Sequence, residues 1–124
     1  MRILIADDER ELADALTSFI NERHHEVVAT VTTGGLDVIQ AYNQFHPDLV
    51  IMDIMMPKFN GLTVCHALLG RHPEARVVLV SGKLNPDNPF IANTGAVGFL
   101  SKPADLSKLD EILTRVGASV AAAA

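Results

Sequence analysis

Residues 48–57 read DLVIMDIMMP, and an Asn60-Gly61 pair closes the stretch. Four consecutive apolar residues, 49–52, are bounded by acids and followed by a turn containing proline and glycine, which is the pattern of a short strand buried on both faces. Asp53 is therefore predicted at the C-terminal end of that strand. Because ligands of an open α/β sheet bind outside the carboxyl ends of its strands, Asp53 is a candidate functional residue as well as a candidate turn aspartate.

The composition is that of one α/β domain. The 124 residues suffice for one hydrophobic core and are too few for two, and 48% hydrophobic content with one Tyr and no Trp is typical of an aliphatic interior. A net charge of -5 argues against a nucleic-acid-binding or membrane-binding surface, because both need a basic patch. The single cysteine, Cys65, excludes an internal disulfide, and acids interrupt the first apolar run too early for a signal peptide. We therefore expect a cytoplasmic protein.

Apolar runs alternate with helical periodicities along the chain. Strands are predicted at residues 3–6, 26–31, 49–52, 77–80 and 98–101, the second of them at or near a sheet edge. A short fourth helix is predicted to begin at Pro89, and Asp105 is predicted to cap the last helix. The helical residues expected to face the core are Leu12, Leu16, Phe19 and Ile20, then Leu36, Ile39 and Tyr42, and in the last helix Leu106, Leu109, Leu113 and Val116. A third helix ending near Gly70 is marked by Leu62, Cys65, Ala67, Leu68 and Leu69, and Cys65 is interpreted as a packing or half-buried thiol.

Five strands alternating with five helices predict a parallel sheet with right-handed crossovers and helices on both faces, which is a doubly wound α/β fold. The domain is predicted to occupy residues 1–117. The alanine-rich tail, residues 118–124, has no core pattern and is open to interpretation as a linker, a continuation of the last helix or a segment added by cloning.

Polar residues follow four of the five strands, namely Asp7 and Asp8, Asp53, Ser81 and Lys102. All these strand ends open on one edge of a parallel sheet, so the side chains are expected to converge there. Two carboxylates about 5 Å apart repel by roughly 3 kcal/mol at an effective dielectric near 20. A divalent cation and a lysine would cancel this repulsion, and an oxygen-only donor set suits Mg²⁺.

One reaction fits this constellation especially well. The Asp53 carboxylate attacks a phosphorus atom in line and becomes an acyl phosphate, while Mg²⁺, Lys102 and Ser81 take up charge on the phosphoryl oxygens. Taken singly, Asp8 is equally typical of a helix cap, Lys102 of a solvated charge and Ser81 of a turn. Their meeting on one rim is what favours function.

The chain resembles the receiver domains of two-component response regulators from about residue 2 to residue 116. The resemblance rests on Asp7-Asp8, on Asp53 followed by Met56-Pro57 and Gly61, on Ser81, on the GAVGF stretch at residues 95–99, and on Lys102-Pro103. It implies the flavodoxin-like strand order 2-1-3-4-5 of the chemotaxis receivers.

The resemblance also implies a role for each site residue. Asp53 would be the phosphoacceptor. Asp8, Asp53 and the backbone carbonyl of Met55 would bind Mg²⁺ directly, and Asp7 would bind it through water.

A conformational switch is implied as well. Ser81 would bond the phosphoryl group, Lys102 would pair with it, and Phe99 would be the rotating switch aromatic that enters the space vacated by Ser81. The surface around the fourth helix, fifth strand and fifth helix would change. Lys83, two positions after Ser81, is a further candidate for contacting the phosphate.

The implied partners are a sensor histidine kinase or phosphotransfer protein and a downstream output domain or partner protein, with a phosphorylation-dependent homodimer as one form of output. The domain itself would bind neither nucleic acid nor membrane, and it would be a signalling module whose chemistry is confined to its own Asp53. Two alternatives stay open. A phosphohydrolase of the haloacid dehalogenase type, which also uses a strand-end aspartate and Mg²⁺, requires a second acid two positions after that aspartate, where this chain has Met55. A receiver-like interaction module that works without phosphate would ordinarily lack an acid or the lysine, and here none is missing.

Overall fold

The computed structural model describes residues 1–56, 59–82, 88–102 and 105–123. In chain order the elements are β1 (Arg2–Ala6), α1 (Arg10–Glu22), β2 (Glu26–Val31), α2 (Gly35–Phe45), β3 (Leu49–Asp53), β4 (Met55–Met56), β5 (Phe59–Asn60), α3 (Gly61–Arg71), β6 (Val77–Ser81), α4 (Pro89–Ala92), β7 (Gly98–Ser101) and α5 (Leu106–Ala123).

Five parallel strands form the sheet in the order β2-β1-β3-β6-β7. The doubly wound fold is confirmed, and β2 lies at the edge as predicted. Counted within this sheet the order is 2-1-3-4-5, and the strand numbers differ only because a small antiparallel hairpin, β4–β5, intervenes. That hairpin was not predicted, because strands of two residues have no apolar alternation to reveal them.

The sheet is covered on both faces. Alternate residues of a strand point to opposite faces, so β3 sends Val50 towards the layer formed with α2 and α3, and Ile51 towards the layer formed with α1 and α5. All five residues of β3 and of β6 are buried. This burial on both faces explains why these two strands read as unbroken apolar runs.

Two helical residues predicted to face the core are instead exposed. Leu36 is 69% exposed and Leu106 is 41% exposed. Both lie in the first turn of their helices, and Leu36 sits about 200° around the helix axis from the buried Val38. In α3, the buried residues include Val64, Cys65 and Leu68, whereas Ala67 is exposed.

The short α4 begins at Pro89, as predicted, and comprises four residues. Asp105 caps α5 through its Oδ1, which accepts a hydrogen bond from the N–H of Lys108 at 3.1 Å. The α5 helix continues to Ala123, so residues 118–123 extend it. The sequence-based expectations for Pro57, Lys83 and Pro103 concern residues outside the described segments. Within those segments, no helix is long and apolar enough to cross a membrane.

Gly61 fixes the loop that follows β3. Its N–H donates a hydrogen bond to the carbonyl of Ile54 at 2.8 Å. A Cβ atom at this position would lie 2.7 Å from the Cα of Ile54 and 3.1 Å from the carbonyl carbon of Asp53. Because these are backbone atoms, only glycine lets α3 begin so close to the end of β3.

We expect Gly61→Ala to lower the free energy of unfolding by about 1–3 kcal/mol, because the added methyl group displaces backbone on either side of Asp53. Gly70→Ala is the matched control on the same helix, since nothing lies within 4 Å of a Cβ there. The control should be neutral or stabilising by about 0.5–1 kcal/mol. Urea unfolding of both variants measures the difference, and equal effects would refute the close approach.

Candidate functional site

Three carboxylates meet at the C-terminal edge of the sheet. Asp7 and Asp8 follow β1 and Asp53 ends β3, and these two strands are parallel neighbours. One carboxylate oxygen of each residue lies within 4.8 Å of the others. Asp7 and Asp53 are each only 1% exposed, whereas Asp8 is exposed. The pairing of β1 with β3 thus brings together acids that are far apart in sequence.

Lys102 reaches the same cluster from the far side. Its backbone N–H donates to the carbonyl of Ser81 at 3.0 Å, which places the residue after β7 beside the end of β6. Its Nζ lies 2.8 Å from Oδ2 of Asp53, 2.8 Å from Oε1 of Glu9 and 3.7 Å from Oδ2 of Asp7. One ammonium group is therefore shared by three carboxylates.

The Asp53 carboxylate accepts two hydrogen bonds from the described residues. Its Oδ1 accepts from the backbone N–H of Met55 at 3.0 Å, and its Oδ2 accepts from Lys102. The next residue, Ile54, donates its N–H to the carbonyl of Val80 at 2.9 Å. The orientation of this carboxylate is consequently set by the loop, by β6 and by Lys102.

The charges of the site perturb one another. Burial raises the pKa of Asp7 from its ordinary value of 3.8 to about 6; the hydrogen bond from the N–H of Glu9 and the charge of Lys102 oppose this, and Asp53 adds to it. Burial also disfavours the charge of Lys102, but its hydrogen bonds to Asp53 and Glu9, with Asp7 nearby, outweigh burial and hold the pKa of Lys102 well above its usual range.

The donor set fits a hard divalent cation. Oδ2 of Asp7 is buried and accepts no hydrogen bond from the described residues, and Lys102 contacts it only at the 3.7 Å range of an ion pair. Buried carboxylate oxygens ordinarily have a partner. Three carboxylates offering only oxygen atoms are the ligands that Mg²⁺ prefers, and the orphaned oxygen marks where additional positive charge or an ordered water would be stabilising.

Ser81 and Phe99 lie on β6 and β7, the two strands that follow β3 across the sheet. Ser81 ends β6 and is buried, while Phe99 on β7 is half-buried. Both line a cavity of about 10 Å³, together with Ile54, Leu79, Ile91, Leu100 and Ser101. Such a volume holds about one water molecule. An aromatic ring could enter only if Ser81 or its neighbours moved.

Glu9 and Gly61 are the site residues that sequence reasoning did not identify by function. Glu9 directly follows the Asp7-Asp8 pair, but residue type and spacing do not distinguish it from the other acids at the start of α1. Cys65 is buried, and burial raises the pKa of its thiol to about 11, so it packs in the core as predicted. No histidine of the described segments belongs to a potential metal-binding group.

Asp7→Asn should stabilise the metal-free protein at neutral pH. Because the pKa of Asp7 is raised on folding, the folded protein binds more protons than the unfolded chain between pH 3.8 and about 6, and the contribution of this group to the free energy of unfolding falls as pH rises through that window. We expect a gain on the order of 2 kcal/mol near pH 7 that vanishes near pH 4.

Chemical unfolding with a chelator present, at both pH values, measures this gain. The exposed Asp8→Asn provides the control and should show a smaller change. A loss of stability in Asp7→Asn near pH 7 would contradict the cost of burying the Asp7 charge.

Comparison with known proteins agrees with this geometry. The family model of the response regulator receiver domain matches residues 3–114. Chemotaxis protein CheY of Thermotoga maritima is 31% identical over 93% of this chain and 96% of its own length. Transcriptional regulatory protein DegU of Brevibacillus brevis is 30% identical over 90% of this chain but only 48% of its own length.

The same fold is found among solved structures. A two-component response regulator of the LuxR family from an Aurantimonas species superimposes with a TM-score of 0.83, at 22% identity over 94% of this chain and 85% of that one. Fold, site and sequence therefore lead to one conclusion: the chain belongs to the response regulator receiver domain family.

Proposed function

We propose that this receiver domain accepts a phosphoryl group on Asp53 and later releases it as inorganic phosphate. The observation that carries the proposal is the position of the Asp53 carboxylate, which is almost fully buried, lies 2.8 Å from the ammonium of Lys102 and has two more aspartates beside it. A buried carboxylate with a fixed orientation and a cationic neighbour is arranged for in-line attack on a phosphoryl group.

In the proposed transfer, an oxygen of Asp53 forms a bond to phosphorus while the bond from phosphorus to the donor breaks. The donor, a phosphohistidine imidazole or a small acyl phosphate, keeps the electron pair of that bond. As negative charge moves from the Asp53 carboxylate to the phosphoryl oxygens, the ammonium of Lys102 moves with it and stabilises the charge there. In the later hydrolysis, a water oxygen forms a bond to phosphorus while the bond from phosphorus to the Asp53 oxygen breaks. The Asp53 carboxylate keeps the electron pair of that bond, and the water is released as part of inorganic phosphate with one proton passing to solvent.

Asp8, Asp53 and the backbone carbonyl of Met55 would hold a Mg²⁺ ion directly, and Asp7 would hold it through water. When bound, the ion supplies positive charge to the phosphoryl oxygens. The orphaned Oδ2 of Asp7 and the close approach of the three aspartates support this assignment.

Ser81 and Phe99 would convert phosphorylation into a change of surface. A phosphoryl group brings close to two negative charges and strong acceptor oxygens, which would draw the Ser81 hydroxyl towards Asp53. The cavity beside Ser81 would then enlarge enough for Phe99 to turn inward from its half-buried position. The two packings form a population equilibrium that phosphorylation biases.

The proposed phosphoryl donor is a sensor histidine kinase or a phosphotransfer protein in the cytoplasm. The output would come from a downstream domain or partner, or from a phosphorylation-dependent homodimer, rather than from nucleic-acid or membrane binding by the domain itself. One relative spans little more than a receiver and another is twice as long, so both arrangements occur in the family. We assign residues 1–117 to the receiver and residues 118–124 to an alanine-rich tail or linker.

The family match favours this function over the two alternatives. A haloacid-dehalogenase-like phosphohydrolase would want an acid at Met55. A module that works without phosphate would not need the full set of Asp7, Asp8, Asp53 and Lys102, all of which converge here.

Acetyl phosphate with Mg²⁺ tests the proposal directly. We expect intact-mass measurement of the wild-type protein to show the addition of one phosphoryl group, and Asp53→Asn to show none. Asp48→Asn is the matched control, because Asp48 precedes the same strand at its opposite end, where its carboxylate accepts a hydrogen bond from the N–H of Arg2.

Asp48→Asn should be phosphorylated like the wild type, and a chelator should abolish the reaction in both. Phosphorylation that persists in Asp53→Asn would refute the assignment of the acceptor. Sustained hydrolysis of unrelated phosphoesters would instead favour a phosphohydrolase.

A further inference from the structure

We infer that Glu9 is a positioning residue that holds Lys102 in the resting state and releases it to the phosphoryl group. The inference rests on the proposed function of Asp53. The observation that supports it is the 2.8 Å contact between Oε1 of Glu9 and Nζ of Lys102. This contact is as short as the one between Nζ of Lys102 and Oδ2 of Asp53. The ammonium of Lys102 thus pairs both with the proposed phosphoacceptor, Asp53, and with Glu9, which does not react.

The Glu9 side chain pairs with Lys102 instead of capping the helix that Glu9 precedes. Glu9 is the N-cap residue of α1, where a side chain ordinarily accepts a hydrogen bond from the first turn of the helix. The Glu9 side chain makes no such bond. Its backbone does the structural work instead, because its carbonyl accepts from the N–H of Ala13 at 3.0 Å and its N–H donates to Asp7.

This arrangement gives Glu9 two opposite effects. As a fourth carboxylate at the rim it adds negative charge, which favours a divalent cation in the resting state. As a competitor for Lys102 it opposes the phosphorylated state, in which the ammonium moves onto the phosphoryl oxygens and like charge from Glu9 is unfavourable. Removing its charge should therefore weaken cation binding and at the same time favour phosphorylation.

The Glu9→Gln variant of the 124-residue chain tests the inference. Glutamine has the same shape as glutamate and the Glu9 side chain is 59% exposed, so folding should be preserved. We expect about threefold to tenfold weaker Mg²⁺ binding in titration calorimetry. The effect is modest because solvent and salt partly screen the charge of the exposed Glu9. At saturating Mg²⁺ we expect about threefold or more tighter binding of beryllofluoride, the phosphoryl mimic, and correspondingly faster phosphorylation by acetyl phosphate.

Glu11→Gln is the matched control, since Glu11 is an exposed acid on α1 that is not an ion-pair partner of Lys102. It makes the same change of charge two residues away and should leave both constants near wild type. Effects of opposite sign in Glu9→Gln alone would support the inference.

If Glu9→Gln weakened both equilibria, or behaved like Glu11→Gln, the inference would be wrong while the proposed function stood. If the wild-type protein itself bound no beryllofluoride and took no phosphoryl group, the proposed function would fail first. Thermal unfolding of each variant verifies that the compared proteins are folded.

Discussion

The ammonium of Lys102 is the group on which the geometry of the site depends. It lies at hydrogen-bond distance from Asp53 and Glu9 and at ion-pair distance from Asp7. Among the described residues, four carboxylates, those of Asp7, Asp8, Glu9 and Asp53, lie with Lys102 at this edge of the sheet. Lys102 reduces the repulsion among these carboxylates, and within the described part of the chain the site has a deficit of positive charge. The deficit favours a divalent cation, and the resulting set of charges suits a phosphoryl group.

The sheet makes this meeting of charges possible. Because β3 lies between β1 and β6 and the five strands of this sheet run in parallel, the residues that follow these strands lie side by side. The buried strands supply a rigid base, and Gly61 allows α3 to begin directly beneath Asp53. Burial of Asp7 costs stability, as its raised pKa indicates. The cluster of charges at the C-terminal edge of the sheet is unfavourable by itself. The two hydrophobic layers of the fold supply the stability that offsets it.

Much of this could be predicted from the sequence. The bounds of the edge strands β2 and β7 agree with the predicted ones. The central strands β3 and β6 were predicted to within one residue, because burial on both faces leaves uninterrupted apolar runs. Leu36 and Leu106 were misplaced because periodicity does not tell where a helix end projects beyond the core. The β4–β5 hairpin was too short to leave a pattern.

At the site, the convergence of Asp7, Asp53 and Lys102 followed from the topology alone. The contact between Glu9 and Lys102 did not, because it joins residues 93 positions apart through the orientation of two long side chains. Neither residue type nor spacing encodes that orientation. Three-dimensional structure was therefore needed to separate Glu9 from the other acids at the start of α1.

Nuclear magnetic resonance of side-chain-labelled lysines tests the central interaction most directly. The signal of Lys102, identified by its loss in Lys102→Met, should show an ammonium that stays protonated at pH values where an ordinary lysine, with a pKa of about 10.4, has lost its proton. The same signal should shift when Mg²⁺ is added, because the ion takes over part of the charge on Asp53. A Lys102 that titrates like the other lysines and does not respond to Mg²⁺ would contradict this account of the site.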